Sequence, residues 1–297
     1  MEKNIKNYIL GRNENYRFKI VKINEIDEKF INLIRKNTKN DVADKKFLEK
    51  LKKVDKKILG NFIFLLRSID FRLWEFSENW KYKKENGFFG LMERMIDLFN
   101  RSDYEKINFE IFRKIISPKE NLNLTKLRFK IFKTNLRWLK KYDRNFDNYF
   151  DENKKAFDFC TNLFELEKYR DFHKNFYFLK PSQLLYLEYL IAKRYAKNYQ
   201  NELETLTIFS DYKVPQIFVN FSLIKIPSRY LRKLKKKSII KKFSLFENEL
   251  RFASILLGEE ISKRLKIPAY RIDNILWWLS YKIKLEIPAP KVKTIFY

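Results

Sequence analysis

Five glycines and seven prolines among 297 residues leave little material for tight turns, and this scarcity limits the fold most. An all-β chain of this length reverses direction many times and needs turn residues at each reversal. The alternative is an apolar pattern that recurs every three to four positions. Phe47, Leu48, Leu51, Val54, Ile58, Leu59, Phe62 and Ile63 follow that spacing, which is the stripe of an amphipathic helix. The stripe runs on into Phe64–Trp74, apolar on most faces and expected to be buried.

Asp27 to Lys36 reads as another helix, and Gly87-Phe88-Phe89-Gly90 opens one that carries Leu91, Met92, Met95, Ile96 and Phe99. Further helices are expected over 108–116, 122–142, 145–166, 181–198, 214–224, 228–237, 246–266 and 270–284. Pro118, Pro181, Pro227 and Pro268 fall at the joints, where a residue lacking an N–H belongs. Tyr16–Ile23 alternates and reads as a short extended piece. With 45% hydrophobic residues and 29 Phe, the chain can fill a substantial core. There is no Ser/Gly linker and no repeat period. The expectation is all-α: one compact multi-helix domain over 1–297, with room for two lobes and a cleft. The apolar ending Phe296-Tyr297 predicts that the last residues dock.

The formal charge of +27 suits an anionic partner. Lys, Asn, Ile, Phe and Tyr also share A/T-rich codons, so a biased genome produces much of the same charge. Ser228–Lys242 holds eight Lys/Arg in fifteen positions; few aromatics interleave for base stacking, which favours a solvated helix face. Nucleic acid is therefore a possible partner, not the favoured one. One cysteine, Cys160, and one histidine, His173, allow neither an internal disulfide nor a Cys/His zinc set. Met1-Glu2-Lys3-Asn4 leads into no signal region, and no apolar run reaches the span of a membrane, about 18 residues. A cytoplasmic protein with no membrane partner is expected. Phosphate-cradling glycine loops are absent, so carboxylate, lysine or tyrosine must carry any chemistry, with no metal and no cofactor.

Within Thr207-Ile208-Phe209-Ser210-Asp211-Tyr212-Lys213-Val214-Pro215-Gln216, Asp211 lies between apolar neighbours on both sides. A carboxylate in that setting is partly desolvated unless Lys213 or backbone N–H groups compensate it. Two readings stand. Asp211 is an N-cap before a helix with Pro215 in its first turn, or it is a functional carboxylate. Asp70 beside Phe71 and Trp74, Asp171 in Tyr169-Arg170-Asp171-Phe172, and Asp273 before Trp277-Trp278 are comparable. Glycosidic cleavage suits such a set, because a buried carboxylate can stabilise or trap an oxocarbenium-like state.

Thr207–Gln216 resembles the T-x-F-A-D-Y-R-V-P-Q motif of the queuosine salvage family, the queuosine 5′-phosphate N-glycosylases. Asp70-Phe71-Arg72-Leu73-Trp74 resembles its N-F-x-F-W, followed by Gly87-Phe88-Phe89-Gly90-Leu91. Tyr169-Arg170-Asp171 resembles its F-R-D, and Phe178-Leu179-Lys180-Pro181-Ser182-Gln183 its F-L-K-R-A-Q. Glu249-Leu250-Arg251-Phe252-Ala253, Ile272-Asp273-Asn274-Ile275-Leu276-Trp277 and Lys293-Thr294-Ile295-Phe296-Tyr297 resemble its E-I-R-A, I-D-x-x-L-W and R-T-I-F-Y stretches. The likeness covers about 65–297 in order, and the first 60 residues match poorly. It implies an all-helical fold similar to helix-hairpin-helix DNA glycosylases. It also implies hydrolysis of queuosine 5′-monophosphate to queuine and ribose 5-phosphate, without metal or organic cofactor. By motif position Asp211 is the catalytic carboxylate, Phe209 packs on the base and Asp273 bonds its polar edge. Lys180 is placed near the ribose phosphate or the carboxylate. Tyr212, Lys213, Asn274, Trp277, Trp278, Trp74, Phe71 and Asp171 complete the expected substrate-binding set.

The pattern also departs from the family. Trp278 stands where the family carries a second Asp, and Asn274 where it often has an aromatic. Pro181 and Ser182 replace Arg and Ala, and a base-contacting histidine near the N-terminus has no counterpart. A nearly intact catalytic motif beside an altered base-reading set points to a glycosidase with a changed base. Two other readings stay open: a DNA or RNA glycosylase that flips a base, and a non-catalytic helical binding module.

Overall fold

The computed structural model describes residues 4–12, 15–38, 42–73, 81–101, 103–118, 122 and 124–297. Fifteen α-helices account for most of them. The first six are Ile5–Gly11 (α1), Glu28–Lys36 (α2), Val42–Leu51 (α3), Leu59–Ile69 (α4), Gly87–Phe99 (α5) and Phe109–Ile116 (α6). Thr125–Leu139 (α7), Phe146–Glu152 (α8), Ala156–Asn162 (α9), Lys180–Ala192 (α10) and Gln200–Glu204 (α11) follow. Lys213–Asn220 (α12), Ser228–Lys235 (α13), Leu245–Leu265 (α14) and Ala269–Lys282 (α15) complete them. Four two-residue strand pairs are all that the described residues form as sheet. Among the described residues no helix is long and apolar enough to cross a membrane.

The stripe expected to run unbroken from Phe47 is in fact two helices. Lys52, Lys53, Asp55, Lys56 and Lys57 crowd one turn with charge, and the Asp55 carboxylate accepts from the Lys57 N–H at 2.9 Å, capping a new start. α4 then buries all eleven of its residues, as its all-round apolarity requires. The stretch expected over 145–166 also breaks. Glu202 accepts from the Ala156 N–H at 2.7 Å, which opens α9 as a separate helix. In the extended piece only Lys22 and Ile23 form a strand, against Lys225 and Ile224. The amides of Lys19, Ile20 and Val21 instead donate to the Glu249 carboxylate at 2.8, 2.7 and 3.0 Å, tying the poorly matched N-terminal part to α14. α1, α11 and the three other strand pairs have no counterpart in the sequence pattern.

The principal packings fall into two sets. α4 packs on α5, α7, α8 and α10, with α6 and α9 added outside; α12, α14 and α15 pack on one another, with α2 against the last two. The set around α4 ends at Ile69, and its last carbonyls meet buried cations. Arg128 donates to the carbonyls of Ile69 and Phe71, and Lys168 to that of Asp70 at 2.8 Å. Such groups are left without helical partners at a C-terminus and favour positive charge. The Lys168 ammonium also donates to the Ile295 carbonyl at 2.5 Å, and the Arg72 N–H to that of Tyr297 at 3.1 Å. Val292, Phe296 and Tyr297 are buried, and Lys291–Val292 pairs in parallel with Ile239–Ile240. The C-terminal residues dock across the seam between the two sets.

Candidate active site

At this seam the ends of four helices bring Asp70, Lys180, Asp211 and Asp273 together. Each is placed by a separate polar brace. The Asp171 carboxylate accepts from both terminal nitrogens of Arg251, at 2.8 and 2.7 Å, and from the Lys180 N–H at 3.2 Å. Leu179, just before Lys180, is held at a left-handed φ of 52°; the N–H groups of Phe178 and Leu179 both donate to the Asp171 carbonyl. A buried leucine in that region is strained, and the Asp171 contacts hold it there. Gln183, one turn into α10, accepts from the Thr207 N–H at 2.9 Å and donates to the Phe178 carbonyl at 2.9 Å. This fixes the segment that leads to Asp211. The same segment needs glycine beneath it: a Cβ on Gly258 would lie 1.9 Å from Ile208 Cγ1.

Both readings of Asp211 apply, one to each oxygen. Oδ1 accepts from the N–H groups of Lys213 and Val214 at 2.5 and 3.4 Å, so it does cap α12, with Pro215 in the first turn. Among the described residues Oδ2 makes no hydrogen bond, and the residue is half-buried. Burial pushes its carboxyl above the usual carboxylate range, against the opposing charge of Lys180 and the two amides. Asp273 is buried on the second turn of α15, and its Oδ1 accepts from the Phe209 N–H at 2.9 Å. Burial, then the negative charge of Asp211, raise it well above the usual range, with the Phe209 amide and Lys180 opposing. Two like charges in one desolvated place oppose each other's ionisation.

Lys180 is the cation of this assembly. It faces Asp70, Glu188, Asp211 and Asp273, and its ammonium makes no hydrogen bond among the described residues. Tyr212 and Lys213 follow Asp211 directly and are both half-buried. Desolvation lowers the Lys213 ammonium against the pull of Asp211, and its Nζ lies 4.4 Å from the centre of the Tyr281 ring. Tyr281 also faces Asp211 and Asp70 and meets Trp277 edge-on at 4.9 Å.

The sequence-predicted set thus divides. Asp211, Lys180, Asp273, Phe209, Tyr212 and Lys213 converge, with Trp277 one turn along from Asp273 and Asn274 half-buried beside it. Asp171 does not face the site: it is wholly buried and committed to Arg251. Phe71 is buried too, its ring covered by Arg128 at 4.1 Å and Lys168 at 5.2 Å. Trp278 turns to Lys282, whose Nζ stands 4.7 Å from its ring, because consecutive helical residues face different ways. Trp74 lies outside the described residues. His173 stacks on Phe243 at 4.9 Å. Tyr281 was missed, although positions 273, 277 and 281 recur at four. Arg67 and Glu188 left no sequence signal beyond being charged residues in apolar stretches, and Lys168 none beyond being one charge among several in Glu165–Asp171. Among the described residues no group of three or more His, Cys, Asp or Glu could hold a metal ion.

Comparison with known proteins bears on this geometry. The sequence model described as "Queuosine salvage protein" matches residues 50–297. A queuosine 5′-phosphate N-glycosylase/hydrolase of Schizosaccharomyces pombe is 29% identical over 138 residues, 41% of this chain and 40% of that protein. One from Sphaerobacter thermophilus is 30% identical over 103 residues, 33% of this chain and 32% of that protein. The matched stretches span less than half the length of either relative.

Proposed function

The chain belongs to the queuosine salvage protein family, and from that premise we propose that it is a nucleotide N-glycosidase. Its substrate is queuosine 5′-monophosphate or a related modified nucleotide, cleaved to free base and ribose 5-phosphate. The observation that carries the proposal is the pair Asp211–Asp273, linked through Phe209, two residues before Asp211, whose N–H donates to Asp273. Both carboxyls are raised, with the Lys180 ammonium acting on each and, among the described residues, no guanidinium bonded to either. Structural carboxylates are rarely left in that condition.

The chemistry follows from the pair. As the C1′–N bond breaks, its electrons leave with the base and positive charge grows on the ribose. Asp211, with Oδ2 free of the helix cap, stabilises that charge and takes the proton of the water that adds to C1′. Asp273 has its Oδ1 on Phe209 and is favoured in the protonated form, so it donates to the polar edge of the departing base. Phe209, Tyr212 and Trp277 supply flat surfaces for base and sugar. The carboxylates around Lys180 support a role in balancing the acid pair over one in gripping phosphate. The whole described chain acts as one unit in this reading, since Glu249 and the C-terminal residues span the seam.

The direct test is incubation with queuosine 5′-monophosphate, other deazaguanine nucleotides and ordinary nucleotides, with released base followed by mass spectrometry. Release of base from at least one deazaguanine nucleotide is expected; no release from any of them overturns the proposal.

A further inference from the structure

Asp273, Trp277 and Tyr281 stand four residues apart on α15 and so share one face of that helix. Exposure rises along the face: Asp273 is buried, Trp277 is half-buried and Tyr281 is 55% exposed. The inner end meets Phe209, whose N–H donates to Asp273 Oδ1 at 2.9 Å. The outer end meets Lys213, whose Nζ lies 4.4 Å from the centre of the Tyr281 ring and 5.8 Å from that of Tyr212. Trp277 supports Tyr281 edge-on, with the ring centres 4.9 Å apart. Lys213 is itself fixed at its backbone, where it opens α12 and its N–H donates to Asp211 Oδ1 at 2.5 Å. Among the described residues neither the Lys213 ammonium nor the Tyr281 hydroxyl makes a hydrogen bond or an ion pair. Neighbouring cations are committed. Arg67 is held by Asp70 and Glu188, Arg251 by Asp171, and Arg128 and Lys168 by backbone carbonyls.

We propose that Lys213 and Tyr281 form the subsite for the 5′-phosphate of the substrate, at the exposed end of the face whose buried end receives the base. The polarity of a nucleotide fits this direction. Its base can enter a desolvated place provided its polar edge finds partners, whereas a phosphate dianion is costly to bury and belongs where water still reaches. With C1′ at the free Oδ2 of Asp211, the phosphate lies across the breadth of the ribose. A lysine stem rooted two residues on from Asp211 has that reach. The ammonium has three donors, so packing on a ring leaves some of them open. A cation–π contact at an exposed ring is weaker than a charge-assisted bond to phosphate, and so yields to it. The Tyr281 hydroxyl adds a neutral donor beside the cation.

The inference rests on the glycosidase reading, so one arm of its test needs no turnover. Ribose 5-phosphate and ribose are titrated calorimetrically into the full chain and its variants. Ribose 5-phosphate should bind the parent more tightly than ribose does. Lys213→Met keeps the stem and the backbone N–H, and should weaken ribose 5-phosphate by roughly 10–100-fold, as for loss of a hydrogen bond to a charged group. Lys213→Arg should restore it to within a few-fold, and Tyr281→Phe should weaken it by roughly 3–10-fold. Lys233→Met, an exposed control on α13, should leave it unchanged. In turnover, the ratio of kcat/KM for a 5′-monophosphate over its nucleoside should fall in Lys213→Met by a similar factor. The ratio cancels any effect of the lysine charge on Asp211, which both substrates feel alike. No preference of the parent for ribose 5-phosphate over ribose would overturn the proposal. So would an unchanged affinity or an unchanged ratio in Lys213→Met, or an equal loss in Lys233→Met. Phosphate-dependent binding that follows Lys213 in a chain that cleaves no nucleotide would instead count against the glycosidase reading alone.

Discussion

Asp171 with Arg251, and Asp211 with Asp273, are two buried acidic assemblies set back to back. They share two residues. The Lys180 N–H bonds Asp171 while its ammonium faces Asp211, and the Ser210 carbonyl accepts from Arg251 at 2.9 Å one residue before Asp211. Asp171 is doubly bonded by a wholly buried guanidinium, which has Glu247 as a looser second partner at 3.6 Å. Burial lowers the Arg251 guanidinium, but Asp171 and its other neighbours raise it on balance. Asp211 and Asp273 have each other and a lysine they divide with two further acids. A resemblance at the level of motifs marks both assemblies alike; the counter-ion separates them. The carboxylate gripped on both oxygens by a guanidinium holds structure, and the pair without such a grip is left to react.

The strongest way to break this contrast is Asp211→Asn. The amide keeps an acceptor for the Lys213 and Val214 N–H groups, so the melting temperature should not fall. Base release should drop on the order of 1,000-fold or more, as for loss of a group acting on transition-state charge. Normal turnover in this variant would put Asp211 on the structural side. Asp171→Asn should do the reverse. It leaves the buried Arg251 charge with only the looser Glu247 pair at 3.6 Å, which costs up to about 3–5 kcal/mol, read as a lower denaturation midpoint. Activity per folded molecule should stay within a few-fold. An unchanged midpoint would erase the distinction.

Half of this contrast was legible in the sequence. The helix from Asp27 to Lys36, the buried stretch after Leu59 and the docking of Phe296-Tyr297 were readable because burial periodicity and turn scarcity are local properties. Asp211 and Asp273 were readable only through motifs. The break at Lys52–Lys57 was hidden because the apolar spacing continues across it, and only the cap at Asp55 marks a new start. That Asp171 is committed to Arg251, 80 positions away, is a fact of the fold that no local pattern carries. Trp278 was misplaced for a simpler reason: adjacency in sequence is not adjacency on a helix.

A pH series sharpens the comparison further. The folded chain raises the carboxyls of Asp211 and Asp273, so it binds protons there that the unfolded chain, near its ordinary value of about 3.9, releases. Their contribution to stability is therefore fully present below that value and is lost as pH rises through the raised values. Activity runs the other way, because Asp211 must be charged. Between the two, turnover should climb while denaturant stability falls relative to Asp211→Asn. Asp70, held below its usual range, contributes in the opposite sense and loses its part as pH falls. Parallel curves for parent and Asp211→Asn would mean that the carboxyl is not raised.

The smallest effect is expected on the exposed face of the basic helix α13. Leu234 is buried and Tyr230 stacks on Phe246 at 4.0 Å, which anchors the helix, while Arg229, Arg232, Lys233, Lys235 and Lys236 are exposed. Exposed charges contribute little to stability and are screened within about 10 Å at moderate salt. Arg232→Gln with Lys236→Gln should therefore change stability by less than about 0.5 kcal/mol, and kcat/KM on a free nucleotide by roughly twofold or less. The measurement has force because a base-flipping enzyme would use this face. In that case the pair would lose affinity for an oligonucleotide steeply and reduce its salt slope by about two. A large loss of that kind, coupled to turnover on a strand, would move the catalytic partner from a free nucleotide to a polymer.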